Sequence, residues 1–164
     1  MIFYNIIYAH GIHTGGGLTL LKEVLAAVSK SPDYKFILDS RIRDEVSKYN
    51  LTYVDYFEPG ILGRIRSELR LRKYGSEVTK VLSFNSLPFF LPLKYPITMF
   101  FQNVNLIYST RNSGFLAYFK SRFFRFHASN VDEFIVQSAT VQNILSAATN
   151  RPSSIMTLLD ISQL

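Results

Sequence analysis

Short runs of apolar residues alternate along the chain with stretches in which apolar residues recur at helical spacing. The almost unbroken apolar run over residues 2–8 is typical of a strand that is buried on both faces of a parallel sheet. It leads through a glycine-containing segment into a stretch in which Leu18, Leu21, Leu25 and Val28 share one helix face. We predict further strands at residues 34–38, 51–54, 80–84, 97–101 and 134–137, and a last strand within residues 154–159.

Helices are predicted between most of these strands. The first is expected to end at Ser31-Pro32-Asp33, and others are predicted at residues 42–49, 61–74, 114–126 and 139–148. Because residues 87–93 contain Pro88 and Pro92, they are predicted to form a short or broken helix. Ser138 is well placed to cap the last helix, since its hydroxyl can accept a hydrogen bond from an exposed backbone N–H group.

The helix predicted at residues 61–74 has a distinct apolar stripe. Ile61, Leu62, Ile65 and Leu69 share one face, and five Arg and Lys side chains surround the rest. We interpret this pattern as a solvated basic face over a buried apolar stripe, with contact to an anionic membrane as the alternative.

The alternation of strands and helices predicts an α/β fold: a single Rossmann-like domain whose doubly wound, mostly parallel sheet has about six or seven strands. We assign this domain to residues 1–150. Residues 151–164 lack a clear period and would lead naturally into a second domain.

Composition narrows the function classes. The absence of cysteine excludes disulfides, thiolate metal sites and cysteine nucleophiles, and fits a cytoplasmic protein. No apolar run approaches the roughly 20 residues of a spanning helix, and we interpret the N-terminus as the first strand and not as a secretory signal. A net charge of +6 calls for an anionic partner, which could be phosphate, nucleic acid or an acidic lipid surface.

The sharpest candidate site is the glycine cluster Gly15, Gly16 and Gly17 after the first strand. Consecutive glycines at a strand-to-helix turn let a ligand approach the backbone, and the helix N-terminus beyond them favours an anion. The spacing fits neither the dinucleotide fingerprint nor a Walker loop, so a plain flexible turn is the alternative. His10 and His13 flank this loop and without a third ligand make a poor metal site. We favour plain exposed loop residues for both, with a substrate-contacting histidine as the alternative, for which His13 is the candidate.

Polar residues also follow two other strands. Gln102 and Asn103 are amides that donate and accept, which suits recognition of hydroxyl groups, although an ordinary polar turn is equally consistent. Asp39 ends the second strand at the position of a ribose-binding acid in dinucleotide-binding folds, but we favour a plain helix start there. The acidic residues show no paired spacing, no metal signature emerges, and no catalytic residue is assigned.

Residues 115–126 interleave Lys120, Arg122 and Arg125 with aromatic side chains. Such a pattern suits an interfacial helix on an anionic membrane, while a solvated face over a buried stripe is the plainer alternative. No DNA- or RNA-binding motif accompanies the charge, so no nucleic-acid partner is expected.

Taken together, these features resemble the N-terminal domain of GT-B glycosyltransferases of the GT4-like group. The segments that carry the resemblance are the opening strand, Gly15-Gly16-Gly17-Leu18-Thr19-Leu20-Leu21, Val81-Leu82-Ser83-Phe84-Asn85, Phe101-Gln102-Asn103 and Asp132-Glu133-Phe134-Ile135-Val136-Gln137-Ser138. Many family members place a histidine in the loop where this chain has Gln102 and Asn103. That departure leaves a catalytic role for the loop unsupported.

The resemblance implies transfer of a sugar from a nucleotide-sugar donor to a polysaccharide or lipid-linked acceptor, with this domain binding mainly the acceptor. It implies contact of the glycine loop with the donor, and substrate contacts at His13, Gln102, Asn103 and Ser138. No separate cofactor or metal is implied. The donor-binding domain would be a separate partner, so we expect no turnover by this chain alone and a peripheral location at the inner membrane face. A non-catalytic glycan- or phosphate-binding module is the alternative, and a nucleotide-dependent oxidoreductase is a third interpretation that the missing dinucleotide fingerprint disfavours.

Overall fold

Seven parallel strands form one sheet in the computed structural model, which describes residues 4–108 and 114–156. The strands are β1 Tyr4–Ala9, β2 Tyr34–Asp39, β3 Val54–Phe57, β4 Val78–Ser83, β5 Ile97–Phe100, β6 Glu133–Val136 and β7 Ser153–Ile155. Their spatial order is β3-β2-β1-β4-β5-β6-β7, and every neighbouring pair is parallel. The predicted Rossmann-like α/β fold is confirmed. Predicted residues 2 and 3 of the first strand and 157–159 of the last lie outside the described residues.

Helices connect the strands and cover both faces of the sheet. They are α1 Gly15–Val28, α2 Arg43–Val46, α3 Ile61–Lys73, α4 Asn105–Tyr108, α5 Phe115–His127 and α6 Ala139–Thr149, with 3-10 turns at Ser40–Ile42, Ser47–Tyr49 and Ala128–Asn130. Within the described ranges, none of these helices combines the length and apolar character needed to cross a bilayer.

The strand β1 shows why its sequence is apolar almost throughout. Ile6 and Tyr8 belong to the core on one face of the sheet, and Ile7 and Ala9 belong to the core on the other. Successive residues of a strand point to opposite faces, so the residues of a strand that is covered on both sides are nearly all buried and apolar. The helices divide accordingly: α1 packs on the second face, whereas α3, α5 and α6 pack on the first through Leu71, Phe124 and Leu145 respectively.

Two predicted elements are wrong in position or type. The third strand lies at Val54–Phe57 instead of residues 51–54, because Leu51 packs against the core from the preceding loop and the strand itself is a half-exposed edge strand with little apolar signal. Residues 87–93 form no helix. Their backbone groups are satisfied by side chains of α3: Arg64 donates to the carbonyls of Leu87 and Pro88, and the N–H of Phe90 donates to Glu68.

The predicted orientation of α3 is also wrong. Ile61, Leu62, Ile65 and Leu69 are exposed, and the helix buries Gly63, Ser67, Glu68 and Leu71 instead. The polar side of this helix faces the protein, because its charged and hydroxyl groups have partners there.

Asp39 ties the end of β2 to the loop after β1. Its carboxylate is fully buried and accepts from the Gly11 N–H at 3.0 Å, from the Arg41 N–H at 3.0 Å and from the Arg41 guanidinium at 2.8 and 2.7 Å. Burial alone would raise the pKa of Asp39, but the hydrogen bonds and charge of Arg41 together with the Gly11 N–H outweigh it and lower the pKa. Asp39 therefore caps the turn at Ser40–Ile42, as the plain helix start predicts, and fixes the path of the loop.

Replacing Asp39 with Asn should lower the free energy of unfolding by about 2 kcal/mol at neutral pH, because the amide loses charge-assisted hydrogen bonds. The stabilisation by a carboxylate of lowered pKa is present above the unfolded value near 3.9 and is lost as the pH falls through the folded value. Urea unfolding curves of Asp39→Asn and wild type should therefore converge in acid. The exposed residue Asp44 provides the control, since Asp44→Asn should change little at any pH. An equal gap at all pH values would contradict this assignment.

Candidate ligand-binding crevice

A crevice opens where the chain after β1 and the chain after β4 turn away to opposite sides of the sheet. These two strands are neighbours at the centre of the sheet, and ligands of open α/β sheets bind outside the carboxyl ends of the strands at such a switch point. The cavity measures about 590 Å³. Its walls come from the loop after β1, the start of α3, the segment after β4, the loop after β5 and one side of α5: His10, Gly11, Ile12, Gly60, Ile61, Arg64, Asn85, Ser86, Leu87, Phe90, Asn103, Leu106, Leu116, Phe119, Lys120 and Phe123.

His10 is the buried imidazole of the crevice. Its Nε2 lies 2.9 Å from the carbonyl oxygen of Glu58, and because a carbonyl only accepts, Nε2 carries the proton. In the neutral ring, Nδ1 is then an acceptor. Gly63 makes this arrangement possible: a Cβ at this position would lie 1.7 Å from the Glu58 carbonyl oxygen and 3.1 Å from His10 Nε2.

Asn85 lies on the other side of the switch point, just after β4. Its side chain is buried, and its Oδ1 has no hydrogen-bond partner among residues 4–108 and 114–156. An acceptor that is buried without a donor costs free energy comparable to a lost hydrogen bond. Asn85 lines the crevice, where a ligand donor that reached Oδ1 would recover that cost.

Arg64 and Glu68 clamp the segment after β4 onto α3. The Arg64 Nε donates to Glu68 Oε1 at 2.9 Å, Arg64 Nη2 donates to the Leu87 carbonyl at 3.0 Å, and the Phe90 N–H donates to Glu68 Oε2 at 2.8 Å. Burial raises the pKa of Glu68, and the charge and hydrogen bond of Arg64 offset only part of that effect.

A second contact joins α3 to the sheet, between Ser67 of α3 and Tyr8 of β1. Their hydroxyl oxygens are 2.8 Å apart, and since Ser67 gives its proton to the Arg64 carbonyl, Tyr8 is the donor between them. Burial strongly raises the pKa of Tyr8, so the phenol keeps its proton and remains a donor.

The outer wall of the crevice is aromatic. The rings of Phe90 and Phe123 meet edge-on with centroids 4.9 Å apart, and the Arg64 guanidinium lies 4.8 Å from the Phe90 ring centroid. Lys120 lies on the same wall and is exposed. The crevice thus combines a polar floor, an apolar wall and a cation at its mouth.

The structure brings some of the predicted site residues together. A Cβ at Gly17 would lie 3.3 Å from Gln102 Oε1, so the glycine cluster and the amide loop after β5 are in contact, and Asn103 lines the crevice. Gly15, Gly16 and Gly17 form the first turn of α1 and not a loop before it. Space beside Gly15 and Gly16 is open.

Other predicted residues lie elsewhere. His13 contacts the Gly11 carbonyl at 3.2 Å and does not line the crevice, where His10 lies instead. Ser138 caps α6 by accepting from the Val141 N–H at 3.3 Å, which confirms the predicted cap. Arg125 donates to the Ile107 carbonyl at 2.9 Å.

Sequence reasoning did not assign His10 or Asn85 to the site. Each is the first or second residue after a central strand, and the rule that ligands collect at the switch point would have selected both once the strand order was known. Periodicity does not supply that order. In the ranges that the structure describes, no three His, Asp or Glu side chains cluster so as to hold a metal ion.

Removing the carboxylate with Glu68→Ala should lower the free energy of unfolding by about 3 kcal/mol, because it leaves the largely buried Arg64 without its counter-ion. Amide hydrogen exchange at Phe90 should accelerate, since its N–H loses its acceptor. The matched control is Glu45→Ala, which breaks an exposed ion pair with Lys22 and should cost little. Unchanged protection at Phe90 would show that Glu68 does not hold this segment.

Comparison of the sequence with models of protein families gave no match, and comparison with curated proteins gave none either. The case for a function therefore depends on the fold and the crevice.

Proposed function

We propose that this chain is the acceptor-side domain of a sugar-nucleotide-dependent glycosyltransferase and that its crevice binds a hydroxyl-rich acceptor. The observation that carries the proposal is the buried Asn85 Oδ1, which has no hydrogen-bond donor among residues 4–108 and 114–156, in a crevice that also contains His10, whose Nδ1 is an acceptor in the neutral ring. These acceptors favour a ligand that donates hydrogen bonds.

Sugar hydroxyl groups meet that requirement, because each one can donate to a nitrogen or an amide oxygen while it accepts from another group. Ser86 and Asn103 lie on the same walls and add groups that both donate and accept. A phosphate ligand, by contrast, presents mainly acceptor oxygens, which do not pair with His10 Nδ1 or Asn85 Oδ1.

The remaining walls favour an acceptor that carries an apolar portion. Leu116, Phe119 and Phe123 line one side of the crevice, with Lys120 beside them. A lipid-linked sugar joined through phosphate presents hydroxyls, an anion and an apolar chain in that sequence, which matches the floor, the cation and the apolar wall.

The start of α1 supports a contact with the donor. Within the described residues Thr14 makes no side-chain cap, and the first N–H groups of a helix favour an anion. Ligand atoms could approach Gly15 and Gly16 without steric conflict. In a complete glycosyltransferase, those N–H groups would stabilise the leaving diphosphate electrostatically, with the donor domain supplied by another part of the enzyme.

Isothermal calorimetry with short alkyl glycosides, used below their critical micelle concentrations, tests the crevice. Binding should weaken about tenfold in His10→Ala and in Asn85→Ala, since each variant removes one hydrogen bond to a sugar hydroxyl in a desolvated site. The matched controls are His13→Ala and Asn143→Ala, which change the same residue types outside the crevice.

Nucleotide-sugars and NAD complete the panel. Detectable binding of a nucleotide-sugar would agree with the proposed donor contact at α1. Binding of NAD with no binding of any glycoside or nucleotide-sugar would refute the glycosyltransferase assignment, as would glycoside binding that His10→Ala and Asn85→Ala leave unchanged.

A further inference from the structure

We propose that the exposed apolar faces of α3 and α5 form one surface that docks onto an anionic lipid bilayer. This inference depends on the two helix faces alone and does not require the proposed glycosyltransferase function. This surface, the two-helix face, consists of exposed apolar residues: Ile61, Leu62, Ile65, Leu69, Phe115, Leu116, Phe119 and Phe126.

The α3 half of the two-helix face is exposed for a structural reason. Gly63, Ser67 and Leu71 recur every four residues on the buried side, with Glu68 beside them. In an α-helix this orientation turns Ile61, Ile65 and Leu69 outward. Leu62 is 71% exposed, which is unusual for a large aliphatic side chain next to three others.

The α5 half has the same construction. Ser121 and Phe124 are its buried residues, while Phe115, Phe119 and Phe126 project outward, Phe126 with 80% of its surface exposed. Several large exposed apolar side chains on one helix face are typical of an interaction site.

The two halves lie on the same face of the sheet and on either side of the crevice. Leu71 of α3 and Phe124 of α5 belong to the core on the same face of the sheet, so both helices present their outer sides to the same side of the molecule. The Arg64 guanidinium of α3 lies 5.9 Å from the Phe123 ring centroid of α5. Ile61 and Leu116 both line the mouth of the crevice between them.

The charges on the two helices select the partner. Exposed cations flank the apolar residues: Arg66, Arg72 and Lys73 on α3, and Lys120 and Arg122 on α5. The sole acid of α3 is Glu68, which is buried and paired with Arg64, and α5 contains no acid. Apolar residues bordered by cations fit a bilayer, where acyl chains accept the first and anionic headgroups the second.

A second copy of the chain fits this surface poorly. Pairing two identical faces would place the cations of one copy against the cations of the other, and like charges across an interface are unfavourable. The proposed surface differs in two ways from the sequence-based expectation of membrane contact by Lys120, Arg122 and Arg125. Arg125 is bound to the Ile107 carbonyl. The apolar residues of α3, for which we favoured burial, belong to the surface.

Co-sedimentation of the full chain with phosphatidylcholine vesicles, with and without phosphatidylglycerol, tests the proposal. The chain should bind the anionic vesicles, bind neutral vesicles weakly, and dissociate from the anionic ones at high salt. The double variant Ile65→Ser/Leu69→Ser should reduce partitioning roughly tenfold or more, as should Phe119→Ser/Phe126→Ser. Lys73→Ser should reduce it about fivefold.

Matched controls separate the surface from general effects. Ile65 is 41% exposed, and Ile155 on the edge strand β7 is 45% exposed, so Ile155→Ser is the control for apolar loss. Lys30→Ser removes a cation that follows α1, on the opposite face of the sheet. Both controls should bind vesicles like wild type, and all variants should melt within the wild-type range because the changes are at exposed positions.

Three results would overturn the proposal. These are no binding to anionic vesicles, equal binding to neutral vesicles, or binding that α5 variants abolish and Ile65→Ser/Leu69→Ser leaves intact. A dimer in size-exclusion chromatography that Ile65→Ser disrupts, without vesicle binding, would assign the two-helix face to a second copy instead.

Discussion

The buried ion pair between Arg64 and Glu68 is the constraint on which the candidate site depends. Taking both charges out of water is costly unless their remaining hydrogen-bonding groups find partners, and in this protein the partners are backbone groups of residues 87–90. The pair must therefore face the segment after β4, which determines how α3 is rotated about its axis. An amphipathic helix with its apolar stripe outward is the consequence.

The same rotation builds the floor of the crevice. It brings Gly63 against the Glu58 carbonyl, where no side chain could fit, and that carbonyl fixes the His10 tautomer. It also brings Ser67 within reach of the buried Tyr8 hydroxyl. One helix thus fixes His10, which lies on the β1 side of the switch point, and the segment that begins at Asn85 on the β4 side. A change that rotates α3 would alter the site without touching any residue that contacts a ligand.

Sequence patterns predicted the sheet well and the site only in part. Strands that are buried on both faces, such as β1, leave an unmistakable apolar run, and Ser138 has a local capping role that its neighbours reveal. Periodicity cannot tell which side of α3 is buried, because the backbone groups that Arg64 and Glu68 bind are more than twenty residues away in the chain. The prediction of a helix at residues 87–93 fails for the same reason. Side chains of α3 satisfy backbone groups of this segment, so it does not need helical hydrogen bonds of its own. His10 and Asn85 become neighbours only when the strand order is known.

The two proposals rest on different features of the chain, a polar crevice and an exposed apolar surface, and one class of ligand would bind to both. The crevice contains the buried Asn85 Oδ1, which has no donor within the described part of the chain and to which a hydroxylated headgroup would donate. The surface beside it exposes large apolar side chains bordered by cations, which acyl chains and anionic headgroups cover. Because Ile61 and Leu116 belong to both the crevice mouth and the two-helix face, a bilayer on that face would present headgroups at the crevice entrance. Under both proposals a lipid-linked acceptor would reach His10 and Asn85 without leaving the membrane, and the exposed stripe of α3 would serve that access.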